Sequence, residues 1–294
     1  MTTPDALPET SPETDTTALG SVVDTVIATN TAASESSGTR SAEAGDSADS
    51  IEAAVEGALT VVAASAARPR AVVTGATGGM GLEIVRELAR THDVTALGRS
   101  ATRLAELESI IGVTTRSVDL THPDRLAAAL GDLGPVDVVV HAAAIGDQFS
   151  VETASPSDWL TQLTVNVVAA SELTRILLPT LREREGTIIF VGSGAGTNPV
   201  PGSSVYAASK HALRGLADSL RIEEESHRVR VATVAPGQTD TEMLRGLIDA
   251  AEYRPERYIR PESVAQAVRF VVDAPADVHL TDVAVRPRRE LSRY

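Results

Sequence analysis

The sequence predicts an α/β fold: a doubly wound, parallel, seven-stranded sheet forming a single domain over residues 68–294, behind a disordered extension of residues 1–67. Three observations carry this reading. Seven short apolar runs alternate with segments of helical periodicity, as in a parallel sheet covered on both faces. The first run leads through a cluster of glycines directly into a helical pattern. Composition also breaks near residue 68. Before it lie Ala, Thr, Ser, Glu and Asp with no aromatic residue, too little apolar surface to offset the entropy of ordering.

In order, Ala71–Val73 is a buried strand. Thr74-Gly75-Ala76-Thr77-Gly78-Gly79-Met80-Gly81 follows as a turn, and residues 82–89 as a helix. Glycines at a strand-to-helix turn let the backbone approach a pyrophosphate at the helix N-terminus, which is the dinucleotide-binding (Rossmann) arrangement. Val94–Leu97 is the second strand, ending in Gly98-Arg99-Ser100. At this point an acid would accept from a ribose 2′-hydroxyl and an arginine would accommodate a 2′-phosphate, so Gly98 with Arg99 favours NADP(H) over NAD(H). A solvated Arg99 at a strand end, with Ser100 as the N-cap of a helix over 101–110, is the plainer alternative. Further strands are read at 114–120, 136–140, 187–191, 229–234 and 281–285. Helices are read at 123–130, 157–182, from Tyr206 onward, and at 261–272.

Bulk properties narrow the function. The formal charge is −14, but residues 1–67 hold 11 acidic residues against Arg40 alone, so the folded part is only mildly acidic and offers no nucleic-acid surface. Cysteine is absent, which excludes disulfides and thiolate metal sites, and the six histidines lack ligand spacing, so no metal is expected. No apolar run reaches the roughly 18 residues of a membrane span. The N-terminus has no basic leader region, and a cytoplasmic protein is expected.

Tyr206 and Lys210 stand four residues apart in a helical pattern, so both side chains emerge on one face. An ammonium beside a phenol favours the phenolate and makes the tyrosine a usable proton donor and acceptor. An isolated pair at this spacing also fits an ordinary helix surface. However, Lys210 is the only lysine among 26 basic residues, at a position where a compact charge with a movable pKa differs from guanidinium.

With these residues the chain resembles the compact, single-domain branch of the short-chain dehydrogenase/reductase family over about residues 69–288. Thr74-Gly75-x-x-x-Gly79-x-Gly81 is similar to the family's glycine loop. Tyr206-x-x-x-Lys210, with Ser193 thirteen residues before the tyrosine and Asn166 in the long helix, resembles its catalytic set. The resemblance implies an enzyme that interconverts a carbonyl and a secondary alcohol using NADP(H). Tyr206 would be general acid or base and Ser193 would hold the substrate oxygen. Lys210 would lower the tyrosine pKa and bind the nicotinamide ribose, and Asn166 would hold a water that relays protons. It implies cofactor contacts from Gly75, Thr77, Gly79, Met80 and Gly81 in the loop, from Arg99 and Ser100, from Asp119 and Leu120, from Ala143, and from Tyr206 and Lys210. Pro236, Gly237, Thr239 and Thr241 would complete the set near the nicotinamide.

The family's Asn-Asn-Ala-Gly appears here as His141-Ala142-Ala143-Ala144, a departure that bears on cofactor packing. Gly75, Gly78 and Gly81 also fit the glycine spacing of the extended epimerase branch, although only 88 residues follow Tyr206. A homodimer or homotetramer is implied, paired through the long helices, where Leu160, Val168, Leu173, Ile176 and Leu177 supply apolar surface. Residues 242–260 are expected to form a lid, with Met243, Leu244, Leu247, Ile248 and Tyr253 as an apolar ceiling over a substrate without several charges. Two other readings stay open: a non-catalytic NADP(H) sensor on the same fold, and an epimerase with no net cofactor turnover.

Overall fold

The computed structural model describes residues 68–288; the extension read over 1–67 and the last residues, 289–294, lie outside the described residues. Strand β1 (Arg70–Thr74) is buried at four of its five positions and feeds helix α1 (Gly79–Leu88). The chain continues through β2 (Asp93–Gly98), α2 (Ala101–Leu107), β3 (Val113–Ser117), α3 (Leu126–Leu130) and β4 (Val138–His141). Then come α4 (Pro156–Leu163), α5 (Ala169–Glu183), β5 (Thr187–Val191), α6 (Ser204–Glu223), β6 (Arg230–Pro236), α7 (Glu242–Arg245), α8 (Pro261–Val272) and β7 (Asp282–Val285).

All seven strands pair in parallel, in the order β3-β2-β1-β4-β5-β6-β7. The chain winds outward through β2 and β3, then returns to the other side of β1 and winds away. The crevice between β1 and β4 is therefore the topological switch point, where such sheets bind ligands. Two apolar layers fill the faces. Ile84, Val85 and Leu88 of α1 meet Val264 and Val268 of α8 on one side; Leu173, Leu177 and Leu181 of α5 meet Leu213 and Leu220 of α6 on the other. Phe190 and Ile188 of β5 are fully enclosed. No helix among the described residues is long and apolar enough to cross a membrane.

Several boundaries differ from the sequence reading: the helix read over 101–110 ends at Leu107, and the one read over 123–130 opens with a 3₁₀ turn, Pro123–Arg125, before α3. The strand expected over 114–120 stops at Ser117, because the Asp119 carboxylate accepts from the Thr121 backbone N–H (3.0 Å) and hydroxyl (2.8 Å), a local turn that takes the chain off the ladder. The strand read at 136–140 begins two residues later, at Val138. The helix expected over 157–182 starts from a Ser155–Asp158 capping box, but at Thr164–Val168 it loosens into a single π-helical turn before resuming as α5. Of the apolar residues proposed for subunit pairing, Leu173 and Leu177 are buried against the sheet, whereas Leu160 and Val168 are exposed.

Candidate active site

The glycine turn is held in a shape that other residues would not permit. Gly75 and Gly79 have φ of +67° and +52°, a region that costs a side chain steric strain. A Cβ on Gly81 would lie 2.2 Å from the Gly75 carbonyl oxygen, and one on Gly75 would lie 2.8 Å from the Ala143 backbone. Strand-end backbone and helix start therefore pack without intervening side chains. This leaves a cleft of about 430 Å³ over the turn.

Most of the cofactor residues expected from the sequence meet around that cleft. Gly75, Thr77, Gly79, Met80 and Gly81 form its floor, Arg99, Asp119 and Leu120 one end, and Ala143 the wall from β4; Tyr206, Lys210 and Thr241 close the other end. Ser100, Pro236, Gly237 and Thr239 do not line it. The Ser100 hydroxyl instead caps α2 by accepting from the Arg103 N–H at 3.4 Å, as its N-cap reading anticipated. Thr239 is buried, with its hydroxyl donating to the Gly237 carbonyl at 3.1 Å.

Gly98 is buried at the end of β2, and a Cβ there would come within 2.4 Å of the Thr77 methyl, so an acidic side chain has no room at this position. Arg99 beside it is exposed. The hydrogen bonds from Thr121 hold the Asp119 carboxyl below its ordinary pKa, so it is charged at neutral pH.

The His141–Ala144 stretch keeps the cleft wall intact by another route. The Thr74 hydroxyl accepts from the Ala142 and Ala143 N–H groups at 3.1 Å each. The Asn166 side-chain oxygen accepts from the Ile145 N–H (2.9 Å), and its amide donates to the Ile145 carbonyl (2.9 Å) and to the Ser209 hydroxyl (3.0 Å). The π-helical turn aims Asn166 inward, where it is 2% exposed. His141 points away from the cleft into the opposite layer. Its Nε2 is 2.9 Å from the Thr174 hydroxyl, its ring stacks on Phe190, and burial lowers its pKa to about 3.

Beyond the cleft, Ser193 follows β5 by two residues in extended backbone, and its hydroxyl accepts from the Ala195 N–H (3.1 Å), starting a short 3₁₀ turn. That turn sits against α6, because a Cβ on Gly196 would meet the Lys210 carbonyl at 3.0 Å. Ser193 is thus held beside Tyr206, near enough to act on the phenol's pKa. Lys210, one turn on, is 3% exposed; its Nζ donates to the Val191 carbonyl at 3.0 Å and lies 5.8 Å from the Tyr206 ring centroid. Burial lowers the Lys210 pKa to about 8. The sequence expectation was a depressed Tyr206 pKa. Instead burial of the phenol pushes it up, opposed by the nearby Ser193 side chain. Lys210 spends its nearest contact on a carbonyl, and desolvation of the phenolate wins.

Around the site stand the lid residue Met243, expected from the sequence, and Arg103, Asp240 and Arg286, which were not marked there. Arg103 of α2 donates to the Thr77 carbonyl (3.0 Å) and pairs with Glu242 of α7 (2.9 Å), strapping the lid to the glycine turn. The only sequence signal for Arg103 was its place one turn into the helix after Ser100. The Met243 sulfur would lie 2.9 Å from a Cβ on Gly146, which itself would be 3.5 Å from the Tyr206 ring, so Met243 supplies the expected apolar ceiling. Arg286, just past β7, lies against the backbone beside Ser193. Deeper in the lid, Asp240 accepts from the Tyr253 hydroxyl and pairs with Arg245 at 2.5 Å. No group of His, Asp or Glu able to hold a metal ion occurs among the described residues.

A family model described as short chain dehydrogenase matches residues 69–252. An uncharacterized oxidoreductase of Staphylococcus saprophyticus is 29% identical over 232 residues, covering 74% of this chain and 94% of that protein. An alcohol dehydrogenase from the archaeon Thermococcus sibiricus, solved with 5-hydroxy-NADP, superposes with a TM-score of 0.70 at 26% identity, over 77% of this chain and 99% of the other. The closed form of a serine dehydrogenase complexed with NADP+ gives 0.68 at 29%, over 76% and 99%. The family model spans most of the described fold, and these proteins are matched over nearly their whole length. The chain therefore belongs to the short-chain dehydrogenase/reductase family of NAD(P)-dependent oxidoreductases.

Proposed function

We propose that the protein interconverts a carbonyl compound and a secondary alcohol, prefers NADP(H), and uses Tyr206 as its proton donor and acceptor. The observation that carries this is Tyr206 with Lys210 buried one helical turn beyond and Ser193 set against the same helix, at the end of a cleft floored by the glycine turn. A bound nicotinamide would supply or accept the hydride. The glycine turn fits its pyrophosphate, since Gly75, Gly79 and Gly81 let the backbone come close at the start of α1.

Ser193 is positioned to donate to the substrate oxygen and fix it within reach of the Tyr206 hydroxyl. In reduction Tyr206 gives its proton to that oxygen; in oxidation it takes one. An alkoxide-like oxygen needs a weakly acidic donor beside it, and a desolvated phenol whose charge Ser193 can share meets that need. Lys210, with a pKa near 8, stores or releases a proton close to neutral pH and connects the tyrosine to the Val191 carbonyl and the cleft. Asn166 serves this arrangement by holding the Ile145 backbone in place, a positioning role that complements the water-holding one inferred from its resemblance.

NADP(H) preference is supported by Gly98, where no acid can fit, and by exposed Arg99 at the same end of the cleft. Exposed Leu160 and Val168, on one stretch of α4 and the π turn, support pairing into a homodimer or homotetramer. Titration with NADPH and NADH, followed by cofactor fluorescence, tests the reading. Tight NADPH binding and at least tenfold weaker NADH binding is expected, and binding of neither would overturn it.

A further inference from the structure

Arg286 follows the last residue of β7, and its guanidinium crosses to the turn immediately after Ser193. A Cβ on Gly194 would lie 2.6 Å from one terminal nitrogen, 3.5 Å from the central carbon and 3.6 Å from the other nitrogen; a Cβ on Gly237 would lie 3.7 Å from the first. Two glycines, one beside the catalytic serine and one ending the strand after it, leave this cation its space. Arg286 has neither an ion pair nor a hydrogen bond among the described residues, as is true of Arg99, Arg125, Arg257 and Arg260, but it alone of these lies against Gly194, next to Ser193. Arg286 is exposed, so its guanidinium is solvated and free to take an anion that enters beside the serine of the reacting oxygen.

We infer that Arg286 receives a carboxylate of the substrate, and that the substrate is therefore a hydroxy acid and its oxo-acid partner. This rests on the oxidoreductase reading above for the chemistry, though not for the binding. A guanidinium offers two parallel N–H donors in the geometry of a two-oxygen carboxylate, and a single guanidinium matches a single negative charge. Because Gly194 adjoins Ser193, the carboxylate sits within a few atoms of the carbon whose oxygen Ser193 holds. The carboxylate takes no part in bond making or breaking; it fixes which face and end of the molecule meet Tyr206. The apolar ceiling at Met243 covers the rest, so the substrate without several charges expected from the lid composition becomes one with an apolar body and a single anionic end.

The test uses the NADP+-loaded full chain, with 3-hydroxybutyrate and its methyl ester as probes, and reads calorimetric binding and NADPH formation side by side for the wild type, Arg286→Gln and Arg286→Lys. The acid should bind at least tenfold more tightly than the ester. Arg286→Gln should weaken the acid by about 10- to 100-fold, the scale of a hydrogen bond to a charged group, and erase the difference between acid and ester. Arg286→Lys should restore part of it. Equal binding of acid and ester to the wild type, binding of neither, or an equal loss of both in Arg286→Gln would each overturn the inference. Acid-selective binding without hydride transfer would uphold Arg286 and sink the oxidoreductase reading; transfer without acid selectivity would do the reverse.

Discussion

The two ends of the cleft are built on opposite principles. The cofactor end is made of backbone: strand β1, a turn that tolerates only glycine at Gly75 and Gly81, and the Ala142–Ile145 wall pinned by Thr74 and Asn166. The substrate end is made of side chains that arrive from distant segments, Met243 from the lid and Arg286 from beyond β7. Backbone geometry answers to local residue types, so it constrains a general ligand such as a dinucleotide. Side chains brought in from afar can be exchanged without disturbing the sheet, so specificity resides there.

The sharpest way to break this comparison acts where the two ends meet. Tyr206→Phe should lower turnover by about 10²–10⁴-fold, the usual weight of a positioned proton donor, with NADPH affinity changed less than about threefold in a fluorescence titration. A variant retaining half its rate would remove Tyr206 from the chemistry. Next in size, Gly81→Ala forces a methyl into the Gly75 carbonyl and should cost about 1–3 kcal/mol of stability in denaturant unfolding, together with at least tenfold in NADPH affinity; a silent substitution would mean that the turn is softer than its packing implies.

The wall behind the cofactor end should also respond to acid. The fold favours neutral His141, whose pKa falls from 6.5 to about 3 on burial. Its contribution to stability is fully present above pH 6.5 and is lost as the pH falls from 6.5 through about 3, up to about 5 kcal/mol in all. The wild-type melting temperature should therefore drop more steeply than that of His141→Asn between pH 6.5 and 4. Parallel slopes would assign the acid sensitivity to other groups. The smallest effect is expected at the cleft's adenosine end, where Arg99→Ala should weaken NADPH about tenfold and leave NADH within about twofold. Equal losses would turn Arg99 into a general surface charge.

Much of the cofactor end was legible because its determinants lie close together in sequence. Thr74 to Gly81 encode strand, turn and helix within eight residues, and Gly98-Arg99 follows from where a strand ends. Tyr206 and Lys210 were visible for the same reason, being one helical turn apart. The pKa of Tyr206 was not, since it depends on how deeply the phenol is buried, which no spacing reports. Nor was the π-helical turn that aims Asn166, where apolar periodicity read as one continuous helix. Arg103 and Glu242 lie 139 residues apart and meet only because α2 and the lid flank one turn. Arg286 resembles any charged residue after a strand until Gly194 is found beneath it.

The solitary lysine has a practical corollary. Since Lys210 is 3% exposed and tied to the Val191 carbonyl, the intact protein offers amine-directed reagents no accessible side chain among its described residues. The pKa near 8 leaves about a tenth of this amine unprotonated, and hence nucleophilic, at neutral pH. Acylation at Lys210 is thus gated by opening of the cleft. Its rate, read by mass spectrometry on a single peptide, gives a built-in clock for how often the site breathes.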